Sequence, residues 1–333
     1  MAQHFFIPDD WKQWIALNLM LGQPQESLLK ILVEKGFPKD LSRLEIQTAA
    51  SHPYLAAAQS LARQRAKRDW LLHTWRKLEQ IPPRRSVNRR VAVDPEEFVS
   101  EYYCENRPVI IADVLSRWPA IEKWNHAYLD RLLGDVVVEY ESVTNQGEGT
   151  SRGARMTARF SELLQAMFCE PKVRTIAVLR NDLEANSEVL NTLKLDIDCI
   201  PEFLNDESDD RLLVAMSSVG SVLSLRHELE NRLMAQVIGR TRIRLISPVH
   251  LPLVYNDQYC ISSVDLDAID YDHFPDFREV HIEEVVVEPG ELFFLPVSWW
   301  YHMTVLDPSL TIVFSNFRQE NTFANYYNTF GVI

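Results

Sequence analysis

The chain has 333 residues, of which 46% are hydrophobic and 24% are charged, and this composition excludes a disordered or fibrous protein. Its formal net charge of −13 argues against a general nucleic-acid-binding protein. No segment approaches the ~18 consecutive apolar residues of a membrane-spanning helix, and the first residues lack the pattern of a secretory signal. We therefore expect a cytoplasmic protein whose four widely spaced cysteines are reduced core thiols. These cysteines are Cys104, Cys169, Cys199 and Cys260.

The first ninety residues predict helices separated by turns. Two acidic residues precede a partly periodic apolar segment near the start, which indicates a capped helix. A second short helix is predicted over residues 27–36, which end in glycine. The longest helix is predicted over residues 54–81, where apolar residues recur at helical spacing before a Pro-Pro pair. We predict that residues 1–90 form a helical region.

Charge is unevenly distributed along the chain. The segment Arg63–Arg90 contains ten basic and two acidic residues, so the rest of the chain carries a net charge of −21. A solvated helix face that continues into a linker explains this segment most simply. Docking onto the acidic part of the same protein, or onto an anionic partner, are the alternatives.

Residues 91–333 have a different sequence pattern, in which short apolar segments typical of strands follow one another closely. From about residue 211 no long helix separates them, and this pattern predicts a sandwich or barrel. Helices are predicted at 95–104, 127–133 and 160–167. Strands are predicted at 108–111, 136–140, 175–179, 212–216, 222–228, 233–238, 242–246, 283–287, 292–295, 303–306 and 311–314.

Two segments of this second part carry a recognisable pattern. One begins at Gly220 and reads GSVLSLRHELE, and the other begins at Pro289 and reads PGELFFLPVSWWYH. Together with FVSEYYCENRPVII at 98–111, they resemble the JmjC/cupin-like branch of the Fe(II)/2-oxoglutarate oxygenases, which includes protein and peptide hydroxylases. The resemblance implies a mainly β fold with α, a double-stranded β-helix of the JmjC/cupin jelly-roll type over residues 91–333.

Enzymes of this family hold iron with a His-x-Asp/Glu pair and a distal histidine, which leaves positions open for 2-oxoglutarate and oxygen. Counting from Gly220 as the family does places Arg226 at the first histidine and Glu228 at the acid. Counting from Gly290 places Tyr301 at the distal histidine. A guanidinium has no lone pair to offer a metal, so the resemblance implies a degenerate metal triad.

His227 and His302 each follow a triad position by one residue, and they are the candidates for rescue if the chain is active. A shift of the strand by one residue would turn them inward, but it would also exchange Glu228 for Leu229. We therefore predict that both histidines face away from the triad positions.

The positions that bind 2-oxoglutarate in the family are also altered. Thr241 stands where the family has a lysine, Leu223 where it has a hydroxyl residue, and Arg232 where it has an asparagine. Five of the six expected contacts are thus changed, and only the acid is retained. We expect neither Fe(II) nor 2-oxoglutarate as a cofactor.

Without the metal, the carboxylate of Glu228 needs another positive partner. We predict that a guanidinium, from Arg226 or Arg232, occupies the space of the missing ion and pairs with it. An alternative is that the two arginines together bind an anion.

The sequence thus predicts a catalytically degenerate protein that acts as a binding or regulatory partner of an active hydroxylase paralogue or of its peptide substrate. An active oxygenase with an unusual metal site, and an anion or peptide sensor, are the alternatives. The resemblance also implies a dimer, for which the helical region with Trp11, Trp14 and Trp75 is a candidate interface. No membrane or nucleic-acid partner is expected.

Overall fold

A computed structural model describes residues 6–81, 87–143, 154–169, 174–181, 183–198, 200, 203–205, 212–256 and 259–326. The chain divides into two compact units, Met1–Leu78 and Glu79–Ile333. The predicted domain boundary at residue 90 stays a prediction, although Asn88–Arg90 pairs as a strand with Val109–Ile111 of the second unit.

The first unit consists of helices around a small apolar core. Its core includes Ile15, Leu32 and Ile46, which are at most 2% exposed. Trp11 and Trp14 pack against this core. Both are partly buried, whereas Trp75 is 55% exposed, and the dimer interface that the sequence suggested stays a prediction. The helices are α1 (Asp9–Met20), α2 (Gln25–Glu34), α3 (Lys39–Ser51), which was not predicted, and α4 (Pro53–Glu79).

The second unit contains a nine-stranded and a four-stranded sheet. The larger sheet has the order β1-β2-β11-β8-β13-β6-β5-β3-β4, and the smaller has the order β10-β9-β12-β7. The strands are β1 (Asn88–Arg90), β2 (Val109–Ile111), β3 (Val137–Val143), β4 (Ala154–Arg159), β5 (Ile176–Arg180), β6 (Leu212–Ser217), β7 (Val222–Arg226), β8 (Arg232–Ile238), β9 (Thr241–Ile246), β10 (Glu283–Val287), β11 (Leu292–Leu295), β12 (Trp300–Val305) and β13 (Ser309–Phe314).

The last eight strands wind between the two sheets. β6, β8, β11 and β13 lie in the larger sheet, whereas β7, β9, β10 and β12 form the smaller one, and the pairs among them are antiparallel. This winding is that of a jelly roll, so the predicted double-stranded β-helix is confirmed.

Alternation along these strands separates an inner core from two outer ones. The inner cluster comprises Ile110, Met234, Ile243, Leu245, Val287, Phe293, Leu295, Tyr301 and Val313. A larger cluster joins the other face of the nine-stranded sheet to the helices, and a smaller one includes Leu225, Ile246 and Trp300. The helices are α5 (Pro95–Glu97), continued by a π-helix over Phe98–Tyr103, α6 (Pro119–Lys123), α7 (His126–Leu133), α8 (Phe160–Phe168) and α9 (Ser187–Lys194).

Gly239 makes the tight connection between β8 and β9. Its φ is +70°, and a Cβ placed there would lie 2.2 Å from the carbonyl oxygen of Pro308. Both the backbone conformation and the close approach therefore require glycine.

The end of the basic segment Arg63–Arg90 forms ion pairs with acidic residues of the same protein. Arg89 and Arg90, at the end of the basic segment, form ion pairs with Glu291 and Glu97, while Arg84 and Arg85 lie outside the described residues.

The described part of the chain contains no helix with the length and apolarity needed to cross a membrane.

The expectation that the cysteines are core thiols is wrong for two of them. Cys104 and Cys169 are exposed and Cys260 is buried, and these three form no disulfide. Cys199 lies outside the described residues. The short segments that carry Cys104 and Cys169 follow helix ends, where side chains reach the surface.

The carboxylate of Asp196 ties the end of α9 to the region of α6 and α7. It accepts hydrogen bonds from Lys123 Nζ at 2.6 Å, the Tyr128 hydroxyl at 2.8 Å and Trp124 Nε1 at 3.1 Å. Burial raises the pKa of the Asp196 carboxyl, but the hydrogen bonds outweigh burial and hold the pKa below its usual value.

Replacing Asp196 with asparagine is expected to lower the free energy of unfolding by about 2 kcal/mol at pH 7, because hydrogen bonds to a charged acceptor are lost. Because the pKa of Asp196 is lower in the folded protein than in the unfolded chain, its carboxylate stabilises the fold at pH values above the unfolded pKa. This stabilisation is lost as the pH falls through the folded pKa. The difference in unfolding free energy between the native protein and Asp196→Asn should therefore become smaller below about pH 4. Urea unfolding measures it, and Asp135→Asn is the control, because Asp135 pairs with Arg159 while fully exposed. A pH-independent difference would contradict the assignment.

Candidate functional site

The triad positions lie where β7 and β12 run side by side. Arg226 ends β7, and Tyr301 is its register partner on β12. Glu228 follows β7 by two residues, in the segment that leads to β8. Because Tyr301 belongs to the inner apolar cluster, this group of side chains lies at the interior of the jelly roll.

Both oxygens of the Glu228 carboxylate are engaged. The Tyr301 hydroxyl donates to Oε1 at 2.5 Å, and Arg232 Nη2 lies 2.7 Å from Oε2. The side chains of Glu228 and Arg232 are 17% and 23% exposed, so water screens this ion pair only in part. The three residues form a hydrogen-bonded cluster, which we call the Glu228 cluster. Arg232 Nε also lies 3.9 Å from Glu230 Oε1 at its edge.

The pKa shifts of these groups fit the same arrangement. Burial raises the pKa of the Tyr301 phenol, and the negative charge of Glu228 raises it further. Burial lowers the pKa of Arg232, but the acidic groups around it, Glu228 first among them, together outweigh burial and the net shift is upward. Tyr301 is thus a protonated donor and Arg232 a cation at neutral pH.

Arg226 makes no hydrogen bond or ion pair with the Glu228 carboxylate. Its Nε donates to the backbone carbonyl of Ser224 at 3.1 Å, and its Nη2 donates to the Ser224 hydroxyl at 3.0 Å. Of the two arginines that the sequence offered as partners of the carboxylate, the structure brings Arg232 to it and turns Arg226 to its own strand.

The three positions matched to 2-oxoglutarate binding are separated. Arg232 belongs to the Glu228 cluster, whereas Leu223 lies opposite Met303 in the apolar interior. Thr241 is buried, and its hydroxyl lies 3.4 Å from that of Ser309.

Gln236 is an interior polar residue that the sequence reasoning missed. Its Nε2 donates to the Ser309 hydroxyl at 2.6 Å and to two backbone carbonyls, and its Oε1 accepts from the Thr311 hydroxyl at 3.0 Å. The region around Thr241 therefore contains a neutral hydrogen-bonded network. In the sequence, the only sign of this network was a polar residue at an inward position of a predicted strand.

The two histidines lie on the other face of the smaller sheet. The ring of His227 packs edge-on against Trp300, with centroids 4.7 Å apart, and burial lowers its pKa. His302 alternates with Tyr301 on β12 and lies beside Arg244 and Asp267. Neither ring is bonded to the Glu228 carboxylate, because strand alternation turns both away from it. His227 Nδ1 lies instead 3.1 Å from the backbone carbonyl oxygen of Glu228.

Asp265, Asp267 and His302 form a second group that the sequence analysis did not assemble. Their ligand atoms all lie within 4.8 Å of one another, which is close enough to hold a metal ion. The Asp-x-Asp spacing was visible in the sequence, but its proximity to a histidine 35 positions further on depends on the fold.

The cupin-like domain family matches residues 95–323 of the chain. The chain belongs to this family. Among its relatives are lysine-specific demethylase 8 of Xenopus tropicalis, with 28% identity over 229 residues, and lysine-specific demethylase JMJ30 of Arabidopsis thaliana, with 30% identity over 236 residues. The alignments cover 66% and 68% of this chain and 50% and 54% of the relatives. The cupin-like chain thus spans about half the length of these two proteins.

A third relative has a different activity in its name. The tRNA wybutosine-synthesizing protein 5 of Homo sapiens is 24% identical over 233 residues, which cover 65% of the cupin-like chain and 73% of that protein. These families all belong to the Fe(II)/2-oxoglutarate oxygenase superfamily. The predicted family resemblance is confirmed.

The residues at the three triad positions, Arg226, Glu228 and Tyr301, do not fit the iron that the superfamily implies. Arg226 offers no lone pair, and both Glu228 oxygens already accept hydrogen bonds. The phenol of Tyr301 would have to lose a proton that burial and a neighbouring carboxylate retain. A metal at this position would therefore have to displace the cluster.

Proposed function

We propose that this cupin-like protein is catalytically degenerate and acts as a binding or regulatory partner of an active oxygenase paralogue or of that enzyme's peptide substrate. The observation that carries the proposal is the engagement of both Glu228 oxygens by Tyr301 and Arg232. A positive charge in the position of a metal neutralises the one acid that is kept, so the fold is stable without the ion. The substitutions act together as a structural replacement.

An anaerobic calorimetric titration tests the loss of chemistry, with Mn(II) in place of Fe(II) and with 2-oxoglutarate added separately and together. We expect no binding of 2-oxoglutarate and no Mn(II) binding that Glu228→Gln removes. Saturable 2-oxoglutarate binding that strengthens a Glu228-dependent metal site would overturn the proposal and favour an active oxygenase.

The second arm of the experiment concerns the partner. Co-expression with a paralogue that keeps the His-x-Asp and distal His ligands is expected to give a stable hetero-oligomer, measured by light scattering after gel filtration. Two species that elute separately, together with no effect of this chain on the paralogue's binding of its peptide, would contradict the partner role.

One observation favours an anion sensor as a second candidate. Arg232 Nε is buried and makes no hydrogen bond within the described part of the chain, and Arg226 contributes a second guanidinium nearby in the sequence. Arg232 also lies beside a second carboxylate, because its Nε is 3.9 Å from Glu230 Oε1, so an anion would depend on the positive charge of Arg226 as well. Titration with inorganic phosphate decides this point, because binding that is weakened by both Arg226→Met and Arg232→Met supports a sensor.

A further inference from the structure

The outer face of the smaller sheet holds a second group of ionisable side chains. His302 lies on β12, and the loop between β9 and β10 brings Asp265 and Asp267 against it. The three ligand atoms lie within 4.8 Å of one another. Because His302 and Tyr301 point to opposite faces of β12, this group is separate from the Glu228 cluster.

His302 has a ring nitrogen in need of a partner. The residue is 1% exposed, and its Nε2 makes no hydrogen bond within the described chain. The nearest acidic atom is Asp267 Oδ2, at 3.5 Å. Buried polar atoms without a partner are uncommon in folded proteins, and each one calls for an explanation such as an ion or a bound water.

The two carboxylates are held in place while each keeps an oxygen for a ligand. Arg244 pairs with Asp267 Oδ1 and donates to the Leu266 carbonyl at 2.7 Å, which leaves Asp267 Oδ2 facing His302. Asp265 Oδ1 accepts from the Asp267 backbone N–H at 2.9 Å. Such outer contacts orient the ligands of metal sites. Both aspartates are exposed, so water can complete the coordination.

Arg244 also limits the site. Its Nη2 lies 3.3 Å from His302 Nδ1, and in the ion-free chain this contact places the ring proton on Nε2. Coordination of an ion through Nε2 moves that proton to Nδ1. Arg244 must then lose its contact with the His302 ring, while its bonds to Asp267 and to the Leu266 carbonyl remain. The positive charge of Arg244 lowers the affinity for a cation but does not block the three ligand atoms.

We propose that Asp265, Asp267 and His302 bind one first-row divalent transition metal ion, of which Zn(II) is the representative. An imidazole nitrogen with two carboxylates suits such an ion better than Mg(II) or Ca(II), which prefer oxygen ligands alone. The ion would link the loop between β9 and β10 to β12, because the loop and the strand both supply ligands. The proposal does not depend on the proposed function, since the Glu228 cluster takes no part in it.

Calorimetric titration of the full chain with Zn(II), in a buffer that does not chelate, tests the site. We expect about one ion per chain, and we expect Asp265→Asn and Asp267→Asn each to weaken binding by about tenfold or more. Both residues are exposed, so these variants should fold. Asp307→Asn is the matched control, because Asp307 is another arginine-paired aspartate and lies outside the group.

A thermal shift gives a second readout. Zn(II) should raise the melting temperature of the native chain and of Asp307→Asn, but not that of Asp265→Asn. His302→Gln, checked for folding by circular dichroism, should bind as weakly as the aspartate variants. Absence of saturable binding, or binding unchanged in all three variants, would overturn the metal site. Binding that only Glu228→Gln abolishes would place the ion in the interior, which overturns the proposed function as well.

Discussion

Replacing Arg232 with methionine is expected to lower the free energy of unfolding by about 3 kcal/mol, because the Glu228 carboxylate loses its positive partner in a largely buried site. Chemical denaturation at pH 7 measures the change. Arg226→Met is the matched control, since that guanidinium bonds only the uncharged backbone carbonyl and hydroxyl of Ser224 and not the carboxylate. We expect the control to cost about 1 kcal/mol.

A second substitution separates the ion pair from simple packing. Glu228→Gln keeps an oxygen that can accept from the Tyr301 hydroxyl but removes the charge, so the double variant Arg232→Met/Glu228→Gln should regain at least half of the lost stability. Equal effects of Arg226→Met and Arg232→Met, or no recovery in the double variant, would contradict the assignment of Arg232 as the replacement for a metal.

Replacing Gly239 with alanine is expected to cost about 3 kcal/mol. Its left-handed backbone conformation is unfavourable for alanine by about 1 kcal/mol, and the added methyl group must also push away the backbone carbonyl of Pro308. Since both Gly239 and Pro308 lie at the ends of paired strands, neither side can move freely.

Gly290→Ala isolates the conformational part of this effect. Gly290 has a φ of +90°, but nothing lies within 4 Å of a Cβ added there. We expect it to cost about 1 kcal/mol. If thermal unfolding shows the same loss for both alanine variants, the close approach to Pro308 contributes nothing.

Most of the jelly roll could be predicted from the sequence because its strands are short, apolar and bounded by turns. The predicted strands at 283–287 and 292–295 match the structure, and the others in the jelly roll differ by up to three residues at an end. Helix α3 was missed because its apolar residues are few, and β4 because its sequence ARMTAR has no apolar run.

The candidate site could be predicted only in part. Counting from the two glycines placed Arg226 and Tyr301 at matching positions, and the structure makes them register partners. The partner of Glu228 depends on the turn before β8, whose geometry no periodicity describes. That turn brings Arg232 to the carboxylate, while the hydroxyl of Ser224 attracts Arg226. The group around His302 was missed because its ligands come from distant parts of the chain.

The Glu228 cluster also restricts the evolutionary paths open to this sequence. Restoring histidine at position 226 alone would leave both oxygens of Glu228 occupied, and restoring it at position 301 alone would remove a hydrogen-bond donor from a buried acid. Removing Arg232 first would expose an unpaired charge to the interior. Loss of the Tyr301 hydroxyl or of Arg232 therefore costs stability before any ion can bind, and a change at position 226 alone does not free the carboxylate.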